Sequence, residues 1–432
     1  MADPAPVNAT IFAYQVGFGD CFLLRFDYDD ASRRHILIDF GTTGLPENVA
    51  ADFMLGVAKD IAAKCTERDG DGLDIVVATH RHADHISGFA TKNGAGSGDV
   101  IAGLEPTIVL QPWTEAPEAP VDWEGPAGGD PVKAFAARKA SLEGMHAMAK
   151  QAVDFVAAQK SLPRGLAGEL NFIGTDNIAN RSAIDNLQSM SKERLFLFHG
   201  CALDLSAILP GVRIDVLGPP TLAQTDSIKK QKSSDKDEFW QFAPRRFSDA
   251  AGSGDGGLLF PDVEHDRRSK LLTEHRWLAS RIDDANAEMM LGLVRSLDSQ
   301  MNNTSLILLM RAGSKTLLFP GDAQLENWQY ALQSELAPLL DDVDLYKVGH
   351  HGSRNATPRS MWKRFRKKNR KKTADRLTSV MSTKHGKHGS DDKHTEVPRR
   401  TLVAELDENS NLHSTERLEA GVPYEVIEFA LI

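Results

Sequence analysis

The sequence predicts an α/β protein, a sheet covered by helices. Three observations lead there. Short apolar runs bounded by turn residues recur along the chain. One long segment carries an apolar residue at every fourth position. Both halves of the chain follow the same strand–strand–helix–strand plan, although no repeat of fixed period is visible.

The elements follow in order. "TIFAYQV" (10–16), "CFLLRF" (21–26) and "HILIDF" (35–40) read as strands, joined by the turn-forming "GFGD" and "DYDDASRR". In "ENVAADFMLGVAKDIAAKC", Val49, Phe53, Val57, Ile61 and Cys65 form the stripe of an amphipathic helix, which "GDG" at 70–72 stops. Asp74 to Ala78 is a buried strand, with Val76 and Val77 β-branched. From about 115 to 195 the pattern changes to a helical insertion. It opens on the Pro/Gly-rich "TEAPEAPVDWEGPAGGDP", continues Ala-rich over 132–160 and includes a second helix in "DNIANRSAIDNLQSM". β-character resumes at "RLFLF" (194–198) and "RIDVLG" (213–218), and the polar stretch at about 221–256 reads as an exposed loop. A last β-rich block holds "TSLILLM" (304–310), "TLLFPGDA" (316–323), the helix "QLENWQYALQSEL", "DLYKVGHHGS" (344–353), "RLTSVMST" (376–383) and "PYEVIEFALI" (423–432).

The 432 residues, 41% apolar and 25% charged, are ordinary for a globular protein and are read as a single domain over 1–432. No apolar run approaches the roughly 18–20 residues of a membrane span. "MADPAPVNAT" lacks the basic and apolar stretches of a signal peptide. Cys21, Cys65 and Cys201 are odd in number and lack metal-knuckle spacing, so the expected compartment is the reducing cytoplasm. A net charge of −10 argues against general attraction to nucleic acid or anionic membrane. One local exception is "KRFRKKNRKK" (363–372), with eight Lys or Arg in ten positions.

The chemistry concentrates after the strand at 74–78. His80, His82, Asp84 and His85 arrive within six positions. Imidazole nitrogen and carboxylate oxygen are ligands for zinc and similar divalent ions. A strand that ends in a tight turn can present His80 and His82 to one ion and Asp84 and His85 to its neighbour. A polar loop that happens to hold histidines is the alternative, and it does not ask for this spacing.

His80-Arg81-His82-Ala83-Asp84-His85 resembles the H-x-H-x-D-H signature of the metallo-β-lactamase fold superfamily. The resemblance implies an αββα sandwich with a dinuclear metal site at one edge, here carrying a helical insertion. It also implies hydrolysis of esters, amides or phosphodiesters by metal-bound hydroxide. Asp39, at the end of "ILIDFG", would be an acceptor that orients a ligand imidazole; a simple Asp-x-Gly turn is the other reading. Asp322 matches the strand-end aspartate that bridges both metals. The V-G-x-G-D turn ending in Asp20, Asn303-Thr304-Ser305 and Lys347-Val348-Gly349-His350-His351-Gly352-Ser353 are similar to the hydrolase domain of bacterial DNA-uptake channel proteins. Choline-phosphate esterases of the same superfamily carry a similar double histidine. The resemblance covers about 10–90, 194–220 and 302–355 and leaves the insertion unmatched. It makes His351 a metal ligand and His350 the contact to a substrate oxyanion, in an order that can be reversed. Asp20, like Asp39, would support the ligands from behind.

Some positions depart from the superfamily. A further ligand histidine is usual after the strand at 213–218, but Pro219-Pro220 stand there. The ion held by His80 and His82 is then one protein ligand short. His199 is a candidate to supply it, as are His385, His388 and His394 in a polar stretch after 376–383. The membrane-spanning part of the channel proteins is not matched, so only the hydrolase carries over.

The expected function is therefore a hydrolase using two divalent ions, Zn or Mn, with Asp84 and His350 in catalytic roles. The expected substrate is a phosphodiester in DNA or RNA. Lys363, Arg364, Arg366, Lys367 and Lys368 begin a few residues after the double histidine, so they are expected near the mouth of the site, neutralising phosphates. Trp362 and Phe365 would stack on bases or form the buried face of that helix. A small-molecule ester, lactone or phosphoester hydrolase is the competing enzyme. A non-catalytic binding protein is the reading from another class.

Overall fold

A computed structural model of the protein describes residues 4–116, 125–126, 128–133, 181–225, 302–353, 357–388, 396–419 and 421–432, and shows a mixed α/β fold with two mixed sheets. Met1–Lys139, Ile178–Gln224 and Ser299–Ile432 group as one compact unit.

The first sheet begins with three strands paired as the turn chemistry predicts. Strands β1 (Pro6–Tyr14), β2 (Cys21–Tyr28) and β3 (Arg33–Phe40) run antiparallel, with Ile11 opposite Leu24 and Leu24 opposite Ile36. From β3 the sheet turns parallel, through β4 (Ile75–Val77), β5 (Ile108–Pro112) and β7 (Glu193–Leu197). The short β6 (Val132–Lys133) closes one edge and β14 (Tyr424–Ala430) pairs antiparallel with β1 at the other. The second sheet holds β8 (Val212–Gly218), β9 (Ile307–Ala312), β10 (Lys315–Phe319), β11 (Leu345–Lys347), β12 (Thr378–Met381) and β13 (Asn411–Ser414). Its order is β13-β12-β11-β10-β9-β8, parallel from β10 to β13.

Successive side chains in a strand face opposite sides, and the core divides accordingly. Leu24, Ile36, Val77 and Leu110 of the first sheet share a buried cluster with Val216, Leu308, Phe319 and Leu345 of the second. Their neighbours Leu23, Leu37 and Val76 face the other way, against Val57 and Ile61 of α1 (Phe53–Cys65) and Ile101. Helices α2 (Ala83–Ile86), α3 (Ser97–Ala102) and α4 (Arg181–Leu187) belong to this side, and Ile86, Ile101 and Leu187 enter the same cluster. On the second sheet Leu309, Leu318 and Tyr346 join Trp328 of α5 (Leu325–Gln333), Met361 and Trp362 of α6 (Arg359–Arg364) and Leu406 of α7 (Arg400–Asn409).

Several expectations need adjusting. The helical stripe starts at Phe53, so Val49 lies outside α1. Of the segment 176–190, the described part is helical only over Arg181–Leu187. The bulk of the expected insertion (117–124 and 134–180) and of the expected exposed loop (226–256) falls outside the described residues. Where that loop begins, Thr221 and Thr225 are buried rather than exposed. Helix α7 and strand β13 have no counterpart in the reading of the sequence.

Candidate metal centre

Parallel strands all point their carboxyl ends one way, and the chemistry gathers there. Asp39 ends β3, the segment 79–85 follows β4, Asp322 follows β10 and His350–His351 follow β11. His82 precedes α2, and Asp84 and His85 lie within it. The ligand segment can sit this close because Gly41 has no side chain. A Cβ there would stand 2.6 Å from Ala83 O and from the carbonyl carbons of Asp84 and His85. Close backbone approach, beyond turn chemistry, is thus the demand at "DFG".

Asp39 itself has a left-handed backbone, φ 55°, which costs a non-glycine residue free energy. Its carboxylate is held from three directions. It accepts hydrogen bonds from Thr79 N and Thr79 Oγ1, both at 2.7 Å, and from His85 Nδ1 at 2.7 Å. With Nδ1 engaged, His85 Nε2 faces Asp322 Oδ2 at 3.1 Å. His351 is oriented in the same way. Its Nδ1 donates to the Ser382 carbonyl at 3.0 Å, and a carbonyl only accepts, so Nε2 is turned to Asp84 Oδ2 at 2.8 Å. The second ring nitrogen of each imidazole is thereby aimed into one point, as metal ligands require.

Asp84, His85, Asp322 and His351 each offer one ligand atom, and these atoms all lie within 4.8 Å of one another with every residue buried. Asp84 Oδ1 and His85 Nε2 are buried and make no hydrogen bond. Burying a carboxylate oxygen such as Asp84 Oδ1 without a hydrogen bond is costly, and a divalent cation would satisfy it. This buried His/Asp group can hold a metal ion.

The electrostatics agree. Burial alone would drive His85 towards neutrality, but the carboxylates of Asp322, Asp39, Asp84 and Asp20 outweigh it and hold its pKa well above the ordinary imidazole value. His351 is raised too, against burial, by Asp322, Asp84 and Asp20. Asp322 is held well below the carboxylate range: burial opposes this, and His85, His351, His350 and Lys347 overcome it. Burial likewise opposes ionisation of Asp84, which His85 and His351 nevertheless pull down.

His80 and His82 stand beside this group. His80 Nε2 and His82 Nδ1 face each other at 2.9 Å, and the His80 ring lies 4.1 Å from that of His85. Burial first, then His85 and His82, push His80 well below its ordinary pKa, so it stays neutral as a ligand imidazole must. Between them Arg81 makes a bidentate pair with Glu115, at 2.8 and 2.7 Å, both side chains 7% exposed.

His350 and His351 part company. Both have left-handed backbones, φ 44° and 51°. His351 is fully buried in the four-residue group, while the His350 side chain is 28% exposed. The His350 backbone N–H donates to Asp322 Oδ1 at 3.1 Å, and its Nε2 stands 3.9 Å from Oδ2. Asp20 sits behind both ligand imidazoles, 3.6 Å from Nδ1 of His85 and of His351, and is ion-paired with Lys347.

The reserve histidines separate as well. His199 donates from Nδ1 to Leu217 O at 2.7 Å and packs edge-on against Tyr330. His385 lies at a surface cleft with Arg400, Asp407 and Glu416. His388 comes nearer: the Phe18 ring is 4.3 Å from His388 on one hand and 4.3 Å from His351 on the other. His394 is outside the described residues.

The basic run is not at the mouth of the site. Lys367 pairs with Asp344 at 2.8 Å, Arg364 and Arg366 pair with Asp341, and Arg370 pairs with Glu408. Asp344 precedes β11 and His350 follows it, so these cations gather at the amino end of the strand whose carboxyl end holds the cluster. Five residues of chain lie between, six steps that span up to about 20 Å when extended. Helix α6 carries the run away from the site because it returns across the second sheet. Trp362 and Phe365 are the buried face of that segment, 6% and 2% exposed, so they do not offer rings to bases. Lys368 lies over the Trp362 ring at 4.9 Å, and Lys363 is exposed.

The sequence had no role for Thr79, Glu115, Lys347 or Ser382. Thr79 immediately precedes the histidine motif and Lys347 lies inside the double-histidine motif, so position alone could have flagged both. Glu115 and Ser382 act through long-range contacts that leave no local signature.

Comparison with models of known protein families and with curated proteins gave no match. Among the described residues, no helix is long and apolar enough to cross a membrane.

Proposed function

We propose that the protein is a metal-dependent hydrolase with a dinuclear centre, acting on phosphodiester bonds in nucleic acid. The observation that carries the reading is the buried group of Asp84, His85, Asp322 and His351, assembled from strands of both sheets with each imidazole oriented from behind. The αββα reading of the fold is supported by three large apolar clusters: one draws on both sheets, and each of the other two packs helices on one sheet.

Asp84, His85, Asp322 and His351 would hold one ion, and His80 and His82 a second with fewer protein ligands. Divalent ions there would lower the pKa of water and neutralise charge on the phosphoryl group. The chain's own contribution is positional. Asp39 and Ser382 fix the ligand rings, and Asp322 is held by the His350 N–H. His350, partly exposed beside Asp322, would donate to a substrate oxyanion or to the leaving group.

Zinc or manganese both suit a His/Asp donor set. The nucleic-acid reading rests on the resemblance of the double-histidine motif. A small phosphoester or ester is the second reading, and the position of the basic run at the far end of β11 favours it. Incubation of the purified protein with labelled single- and double-stranded DNA and RNA, and with small phosphodiesters and lactones, under a panel of divalent metals tests both. Cleavage of polynucleotide that Asp322→Ala abolishes supports the nuclease. Hydrolysis of small esters alone supports the second reading. Absence of bound metal and of every activity refutes the enzyme.

A further inference from the structure

Lys347 is the one residue of this centre whose chemistry opposes its surroundings. It is an ammonium at a site that collects cations, it is 2% exposed, and nothing in the hydrolase reading assigns it a task. Its Nζ donates to Gly321 O at 3.2 Å, is ion-paired with Asp20 and lies 3.5 Å from Asp322 Oδ1. Burial would favour the neutral amine, but Asp20 and Asp322 hold it protonated.

The two oxygens of Asp322 therefore meet different partners. Oδ1 faces the Lys347 ammonium and accepts the His350 N–H at 3.1 Å. Oδ2 faces His85 Nε2 at 3.1 Å and His351 Nε2 at 3.7 Å. Rotation of the carboxylate to present both oxygens to the cluster would break the first two contacts. It would also leave the ammonium with Asp20 and a backbone carbonyl only.

We propose that Lys347 is a positioning residue that reserves one oxygen of Asp322, so that this aspartate gives the metal a single oxygen, Oδ2. Asp20 is the anchor that keeps the ammonium in place. The ammonium thereby acts as a fixed internal cation in the carboxylate cage, limiting the coordination number of the ion rather than binding it. The inference rests on the metal-centre reading above and adds to it the role of a residue outside the ligand set.

The test uses cobalt(II) as a spectroscopic stand-in for the native ion on the full chain. Lys347→Met keeps the length of the side chain and removes its charge. Asp20→Asn/Lys347→Met removes both charges, so that no buried carboxylate is left unpaired if the single variant fails to fold. Visible absorption of the cobalt-loaded protein reports coordination number, which rises as the band weakens. Competition with a chromophoric chelator reports affinity. In whichever variant folds, the cobalt band should weaken relative to the wild type, because Asp322 is released to offer a second oxygen. In the double variant, which keeps the net charge of the cage, affinity should fall about 10–100-fold, the usual effect of losing a residue that orients a ligand. A double variant with wild-type cobalt spectrum and affinity would overturn the proposal, leaving Lys347 as the counter-ion of Asp20 alone. Failure of the double variant to fold would also overturn it, since the pair would then be structural. A wild-type chain that binds no cobalt would instead sink the metal-centre reading itself.

Discussion

Metal binding should expel protons, and the number follows from the buried charges. Asp20, Asp39, Asp84 and Asp322 are all buried, and Lys347 sets one positive charge against them. Four negatives less one positive leave three to be compensated. In chelator-treated protein, His85 and His351 take part of that burden. The surrounding carboxylates, Asp322 foremost, overcome burial and hold both imidazoles above their ordinary pKa. A ligand imidazole must be neutral at the coordinating nitrogen, so loading with a divalent ion should release roughly one to two protons per chain at pH 7. Calorimetric titration of Zn²⁺ or Mn²⁺ into the stripped protein, in two buffers of different ionisation enthalpy, counts them. The sign of the pH dependence is fixed too. A raised histidine pKa stabilises the stripped protein at pH values below that of the unfolded imidazole and is lost as pH rises through the folded value. The metal-loaded form has already given up those protons, so the stabilisation from metal should grow with pH. Free metal at 100-fold its Kd adds about 2.7 kcal/mol, and at about 1 °C per kcal/mol for a chain of 432 residues the Tm should rise by about 3 °C. Titration without proton release, together with a Tm indifferent to chelator, would refute the charge argument.

Two further outcomes follow from groups around the cluster. Arg81→Met strands Glu115 in a site 7% exposed and should cost about 3–5 kcal/mol in denaturant unfolding, most of it recovered by Arg81→Met/Glu115→Leu. A single-variant cost near that of a surface pair, below about 1 kcal/mol, would mean the pair is not desolvated. His388 is pushed down from 6.5 to about 4, chiefly by burial, so it is neutral in the folded protein. Between those two pH values the unfolded chain binds the proton first, and stability should decline on acidification by about 3 kcal/mol in total. Unfolding curves of His388→Gln compared with wild type at pH 7 and pH 4 isolate this component, and parallel losses in both would contradict it.

What could be read from the sequence was decided by locality. His80, His82, Asp84 and His85 sit within six positions at a strand end, and the structure puts Asp84 and His85 in one group with Asp322 and His351. Strands β1, β2 and β3 were visible because short apolar runs and turn residues are local signals. The basic run was misplaced for the opposite reason. Short spacing after His351 suggested proximity, but α6 runs back across the second sheet and carries its cations to Asp341 and Asp344. Chain distance measures nearness only until a helix reverses the direction. Trp362 and Phe365 followed the apolar rule, and no stacking signal distinguished them from core. Glu115 and Ser382 were unreadable, since each acts on a partner 34 and 31 residues away, respectively.

The separation of the ligands has a structural consequence of its own. His351 meets Asp84 across 267 residues of chain, one following a strand of the second sheet and the other a strand of the first. Apolar packing between the sheets holds them together along their length, but packing is non-directional and does not choose among small slides of one sheet over the other. At the carboxyl edge, slides of an ångström would spoil the approach of four polar groups whose partners are defined by direction. An ion gripped from both sides would therefore fix the register of the sheets where packing leaves it soft. The protein that lacks it should keep its core while loosening at that edge, at 79–85, 320–323 and 349–353, where amide exchange would quicken first.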